Sequence, residues 1–137
     1  MKDALTILRD VDALFADPAK WGKGYYALTV ENEETGSLDS DANCFCLQGA
    51  IELTTDTPYY SDGHRNPDED PAYDPFFEIT QVTVALEAAI TRLFAERVPS
   101  ETDIDGIIPH FNDNLDTTIE DVRKVIADAQ TCFTQAK

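Results

Sequence analysis

Basic residues are what this chain has least of. Ten lysines and arginines stand against 27 aspartates and glutamates, a formal net charge of −17. Binding a phosphate backbone requires Lys and Arg to displace counterions, so direct contact with DNA or RNA is not expected. Anionic membrane surfaces are disfavoured on the same ground. No run approaches the roughly 18 apolar residues of a membrane span. Met1-Lys2-Asp3-Ala4 leads into a helical pattern rather than the apolar stretch of a signal peptide. Cysteine is scarce and odd in number: three residues cannot all pair within one chain. Reduced thiols and a cytoplasmic location are therefore expected. Only two histidines are present. Cys44 and Cys46 have no histidine near them, so they make no zinc site. Asp62-x-His64-x-Asn66-x-Asp68 alternates like a calcium loop, but Pro67 takes the place of its glycine and Tyr73 that of its glutamate. No metal and no cofactor is expected.

What is present suffices for a core. At 137 residues, 42% of them hydrophobic, the chain reads as a single domain, residues 1–137. The acidity has three readings: a solvated, self-repelling surface, a protein partner with a basic face, or mimicry of a phosphate array.

Residues 3–16 carry Ala4, Leu5, Leu8, Val11, Leu14 and Phe15 at helical spacing, ended by Asp17-Pro18. Residues 25–30 are rich in strand formers, with a turn over residues 31–36. A short central helix is predicted over residues 44–53, with Asn43, or alternatively Asp41, as its cap and Gly49 inside it. Gly49 costs ~1 kcal/mol relative to alanine in a helix, which another backbone or ring approaching closely would offset. Residues 54–74 have no periodicity and read as a surface loop. A long helix spans residues 76–98, and residues 107–111 form an apolar link. Thr117-Thr118-Ile119-Glu120 matches a capping box ahead of a last helix bearing Ile119, Val122, Ile126, Ala129 and Phe133. The fold class is mainly α: a compact bundle of three longer helices around a short central helix, with room for one small β-hairpin near residues 25–30.

Trp21-x-Lys23-Gly24, Cys44-x4-Gly49-Ala50, and Phe111-Asn112-Asp113 ahead of Thr118-x-x-Asp121-Val122 follow one another along the chain. In this order they resemble a small bacterial and phage protein family of unknown function. The resemblance implies no activity. It implies that Trp21, Lys23, Cys44, Gly49, Asn112 and Asp113 belong together.

Cys44 is the candidate nucleophile, since a thiol in the first turn of a helix is stabilised as thiolate by free N–H groups. Opposed to this are the acidic surroundings and the tendency of free cysteine to be a buried packing residue. Asn112 and Asp113 suit a ligand or an oriented base, and equally suit turn and capping chemistry. Lys23, between Gly22 and Gly24, suits an anion or a surface salt bridge, but the spacing is not that of a P-loop. The function expected is that of a small, acidic, non-enzymatic binding or regulatory protein acting through a protein partner with a basic surface. The alternative is a small enzyme or ligand-binding domain whose cleft is formed by Trp21, Lys23, Cys44, Asn112 and Asp113. Convergence of those five on one pocket discriminates between them.

Overall fold

Asp3 opens the first helix by accepting the Thr6 N–H on its carboxylate at 2.8 Å. Helix α1 (Ala4–Leu14) buries Ala4, Ile7, Leu8 and Val11 along one stripe, the spacing that puts i, i+3, i+4 and i+7 on one face. Phe15 follows it into the core. Asp17 then caps a single 3-10 turn, Pro18–Lys20. These elements belong to a computed structural model, which describes residues 3–57, 74–97 and 107–134. The calcium-like spacing at Asp62–Asp68 lies outside the described residues.

The strands are β1 (Ala27–Leu28), β2 (Glu34–Thr35) and β3 (Cys44–Phe45). They form an antiparallel sheet in the order β2-β1-β3, with Ala27 opposite both Thr35 and Phe45. The β1–β2 turn places Asn32 at φ 65, a left-handed conformation that asparagine tolerates better than most residues.

Helix α2 (Leu47–Thr55) follows β3 directly. The expected helix over residues 44–53 is thus corrected at its start. Cys44 and Phe45 pair with β1, and Cys46, not Asn43, is the N-cap, its sulfur accepting the Gly49 N–H at 3.3 Å. Gly49 is packed as tightly as expected: a Cβ there would lie 2.0 Å from the Tyr26 carbonyl oxygen. α2 therefore crosses the backbone leading into β1 at a distance that only glycine permits.

Helix α3 (Asp74–Leu93) is the long helix, with Ile79, Val82, Leu86, Ala89 and Ile90 fully buried. A 3-10 turn, Ala95–Arg97, follows it. The apolar link is in fact a helix, α4 (Ile107–Asp113). Pro109 lies in its first turn, where its missing N–H has no intrahelical acceptor to lose. Helix α5 (Ile119–Thr134) is capped reciprocally by Thr118 and Asp121: each backbone N–H donates to the other's side chain at 3.2 Å. The capping box sits one residue later than Thr117–Glu120.

The molecule is mainly helical with a small antiparallel sheet. α1 packs against α2, α3 and α5; α3 packs against α5 and α4; α2 also touches α4 and β3. One apolar cluster runs through the five helices of the described residues and includes Ala27 and Phe45 from the sheet.

Candidate functional site

The chain leaving the first 3-10 turn runs beside β3. Trp21 bridges to Phe45, and the Gly22 N–H donates to the Phe45 carbonyl at 3.0 Å. This brings the Trp-x-Lys-Gly segment up to the C-terminal end of α4.

Asn112 is the residue that joins them. It is 1% exposed. Its Oδ1 accepts the indole Nε1–H of Trp21 at 2.8 Å and the Leu47 N–H at 3.1 Å. Its Nδ2 donates to the Gly22 carbonyl at 3.1 Å and to Asp113 Oδ1 at 3.0 Å. An amide side chain has two lone pairs and two N–H bonds to place, and all four are placed here. One side chain thus ties the Trp21 segment, the start of α2 and the end of α4 together.

Asp113 extends the tie, accepting the Gly24 N–H on Oδ1 at 2.8 Å. Lys23 lies alongside: its ammonium donates to the Asn114 carbonyl at 2.6 Å and sits 5.5 Å from the centroid of the Trp21 ring. Cys44 stands on the neighbouring strand, its sulfur 3.5 Å from where a Cβ on Gly22 would be. The helix terminus expected to activate Cys44 is not there, because Cys44 lies in β3. Trp21, Lys23, Asn112 and Asp113 are in direct contact as a cluster, and Cys44 lies at its edge.

A cleft of about 760 Å³ opens beside this cluster, between residues 24–26, the start of α2 and α4. Asn112 and Asp113 line it, whereas Trp21, Lys23 and Cys44 do not. The cysteine that faces it is Cys46 rather than Cys44. Burial pushes the Cys46 thiol up to about 11; the N–H groups of Gly49 and Gln48 pull the other way, and the charges of Asp113 and Glu52 push it further up. Tyr26, also on the cleft wall, has its hydroxyl raised by burial and then by Glu52 and Cys46. Behind them Glu52 is fully buried and accepts the Ser37 hydroxyl at 2.5 Å. Tyr25, Glu34, His110 and Leu115 also line it. The pair Tyr25-Tyr26 directly after the Trp-x-Lys-Gly motif, and a lone Leu115 in an Asn-Leu-Asp turn, were the sequence signals for them.

A model described as "Family of unknown function (DUF6197)" matches residues 1–131. The chain belongs to this family. Membership agrees with the resemblance in its broad part, that of an uncharacterised family. No curated protein and no solved structure matches the chain. Among the described residues no group of three or more His, Cys, Asp or Glu is arranged to hold a metal ion. No helix among them is long and apolar enough to cross a membrane.

Proposed function

We propose that this DUF6197 chain is a non-enzymatic binding protein of the cytoplasm, acting through a protein partner with a basic surface. The observation that carries the reading is the cleft's make-up. Apolar, aromatic and acidic side chains line it together with the amides of Gln48, Asn112 and Asn114 and the imidazole of His110, and its one thiol, Cys46, is held protonated at neutral pH. A nucleophile needs the thiolate, so the lining favours recognition over covalent chemistry. Asn112 has every hydrogen-bonding site filled by protein, which suits a structural brace. The surplus of carboxylates supports the choice of partner, because complementary charge speeds encounter and selects against like-charged surfaces.

The second reading, a small enzyme or ligand-binding domain, draws on one fact. Asn112 and Asp113 both line a cleft within the size range of small-molecule sites, ~300–1,000 Å³. Affinity capture from the native host separates the two, with mass spectrometry of retained proteins and small molecules at 0.1 M and ~1 M NaCl. A basic protein held in low salt and released in high salt is the expected result. Retention of a small molecule alone, unaffected by salt, overturns the partner reading.

A further inference from the structure

We infer that the cleft between residues 24–26 and α4 docks a partner segment in which an apolar side chain lies beside a lysine or arginine. The inference rests on the partner reading above and assigns the surface it uses. Leu115, in the turn after α4, is 95% exposed, and Tyr25 across the cleft is 46% exposed. Ile108 and Pro109 line the same cleft. Single exposed apolar residues need no explanation. These, however, are grouped on a concave surface, where a partner's apolar side chain would be covered on several sides.

The charge of the cleft chooses the neighbour of that side chain. Glu34 on β2 and Oδ2 of Asp113 accept no hydrogen bond among the described residues. Glu52 adds a third carboxylate behind the floor, and its field and that of Asp113 both reach the Cys46 sulfur. On the opposite side of the balance are His110, on the wall, and Lys23, whose ammonium is already engaged by the Asn114 carbonyl and the Trp21 ring. A cation is drawn in and an anion repelled. A free amine would satisfy the carboxylates but leave Leu115 and Tyr25 in water; a peptide segment covers both.

The test uses the ¹⁵N-labelled full chain and capped pentapeptides in amide-detected NMR titrations. The probes are Ser-Leu-Lys-Leu-Ser, Ser-Leu-Glu-Leu-Ser and Ser-Ser-Lys-Ser-Ser, with n-butylammonium as the free amine. The leucine-lysine peptide is expected to shift the amides of Gly24, Gln48 and Asn114 and to bind more tightly than the other three. Glu34→Gln, Asp113→Asn and Leu115→Ser should each weaken it by roughly three- to tenfold, with circular dichroism unchanged. Asp113→Asn keeps an oxygen to accept the Gly24 N–H, so a folded variant is expected. Equal binding of the glutamate peptide or of n-butylammonium, shifts mapping elsewhere, or no shift at millimolar peptide overturns the inference. If a basic protein is still captured by the wild type and equally by the three variants, the docking assignment falls and the partner reading stands. If no basic protein is captured either, both fall.

Discussion

On one side of the molecule, α1, α3 and α5 meet through stripes of isoleucine, leucine, valine and alanine, with arginine–aspartate clips at the rim. On the other, the sheet, α2 and α4 share the same apolar cluster but are joined in addition by single atoms with no substitute: the missing Cβ of Gly49 and the four hydrogen bonds of Asn112. The clips are Arg123 to Asp12 at 2.9 Å, Arg97 to Asp121 at 2.8 Å, and Arg92 to Asp128. An apolar stripe is non-directional and yields gradually when a methyl is lost. A close backbone contact or a filled amide inventory has no intermediate state. The sheet side should therefore be the brittle half, and it is also the half that shapes the cleft.

The largest effect expected is at Gly49. An alanine there brings a methyl to 2.0 Å from the Tyr26 carbonyl oxygen, a backbone atom, so α2 or the strand lead must move. Overpacking typically costs ~1–3 kcal/mol, and Gly49→Ala should lie at or above the upper end. Ile79→Val on the helical side should cost only ~0.5–1.5 kcal/mol. Urea unfolding of both variants checks the ranking; equal midpoints would erase the contrast between the two halves.

Next comes Asn112. Asn112→Ala leaves the Trp21 indole N–H, the Leu47 N–H and the Gly22 carbonyl without their partner. Each buried group left unpaired costs about 1–3 kcal/mol, so a loss of ~3 kcal/mol or more is expected. A red shift of the Trp21 fluorescence should accompany it, since Trp21 is the only tryptophan. In a double-mutant cycle with Trp21→Phe the two losses should be less than additive. Strict additivity would mean that the indole bond carries no energy.

Sequence periodicity was enough to find the helices of this side, because burial on one face forces three- and four-residue spacing, although α1 ends at Leu14, short of the predicted residue 16, and Asp17 caps the 3-10 turn that follows. The sheet side was harder to read for a physical reason. A two-residue strand such as Cys44–Phe45 has no period to detect, so its residues merged with those of α2 and moved the cap from Cys46 to Asn43. Pro109 concealed α4, although proline is harmless in a first turn. The tightness at Gly49 was legible as a glycine inside a helix. Its neighbour Tyr26, 23 positions earlier, was not, since that contact is made by backbone atoms. For Asn112 the local readings were turn or ligand; its bonds to Trp21 and Gly22 span about 90 residues, and no local pattern encodes them. Membership of the motif residues in one cluster did come through, in Trp21, Lys23, Asn112 and Asp113.

A smaller effect sharpens the same contrast through pH. The Cys46 thiol is raised from an ordinary 9.0 to about 11 in the fold, chiefly by burial. Below pH 9 the thiol is neutral in both states, and its contribution is fully present. As pH rises from 9 to 11 the unfolded chain loses the proton and the folded chain keeps it, so stability falls. Two pH units correspond to about 2–3 kcal/mol as an upper figure. Tyr26, raised by burial and by its neighbours Glu52 and Cys46, acts in the same direction. Chemical denaturation at pH 8, 9, 10 and 11 should show the decline, and Cys46→Ala should flatten it. An unchanged slope in that variant would assign the decline to other groups.

The smallest effect belongs to the helical rim. Arg123 and Asp12 are paired by hydrogen bonds of 2.9 and 3.2 Å, but their side chains are 42% and 33% exposed. Exposed pairs contribute ~0.2–1 kcal/mol, and salt screens them. Arg123→Ala should therefore lower the urea midpoint only slightly at 0.1 M NaCl and less again at 1 M, where the Debye length falls from ~10 to ~3 Å. Salt acts on the whole chain in the opposite sense. With a net charge of −17, repulsion among carboxylates outnumbers the few attractive clips, and screening relieves it. The melting temperature of the wild type should rise with NaCl even as the Arg123–Asp12 contribution shrinks. A melting temperature that falls with salt would mean that the attraction in such clips outweighs the repulsion among the carboxylates.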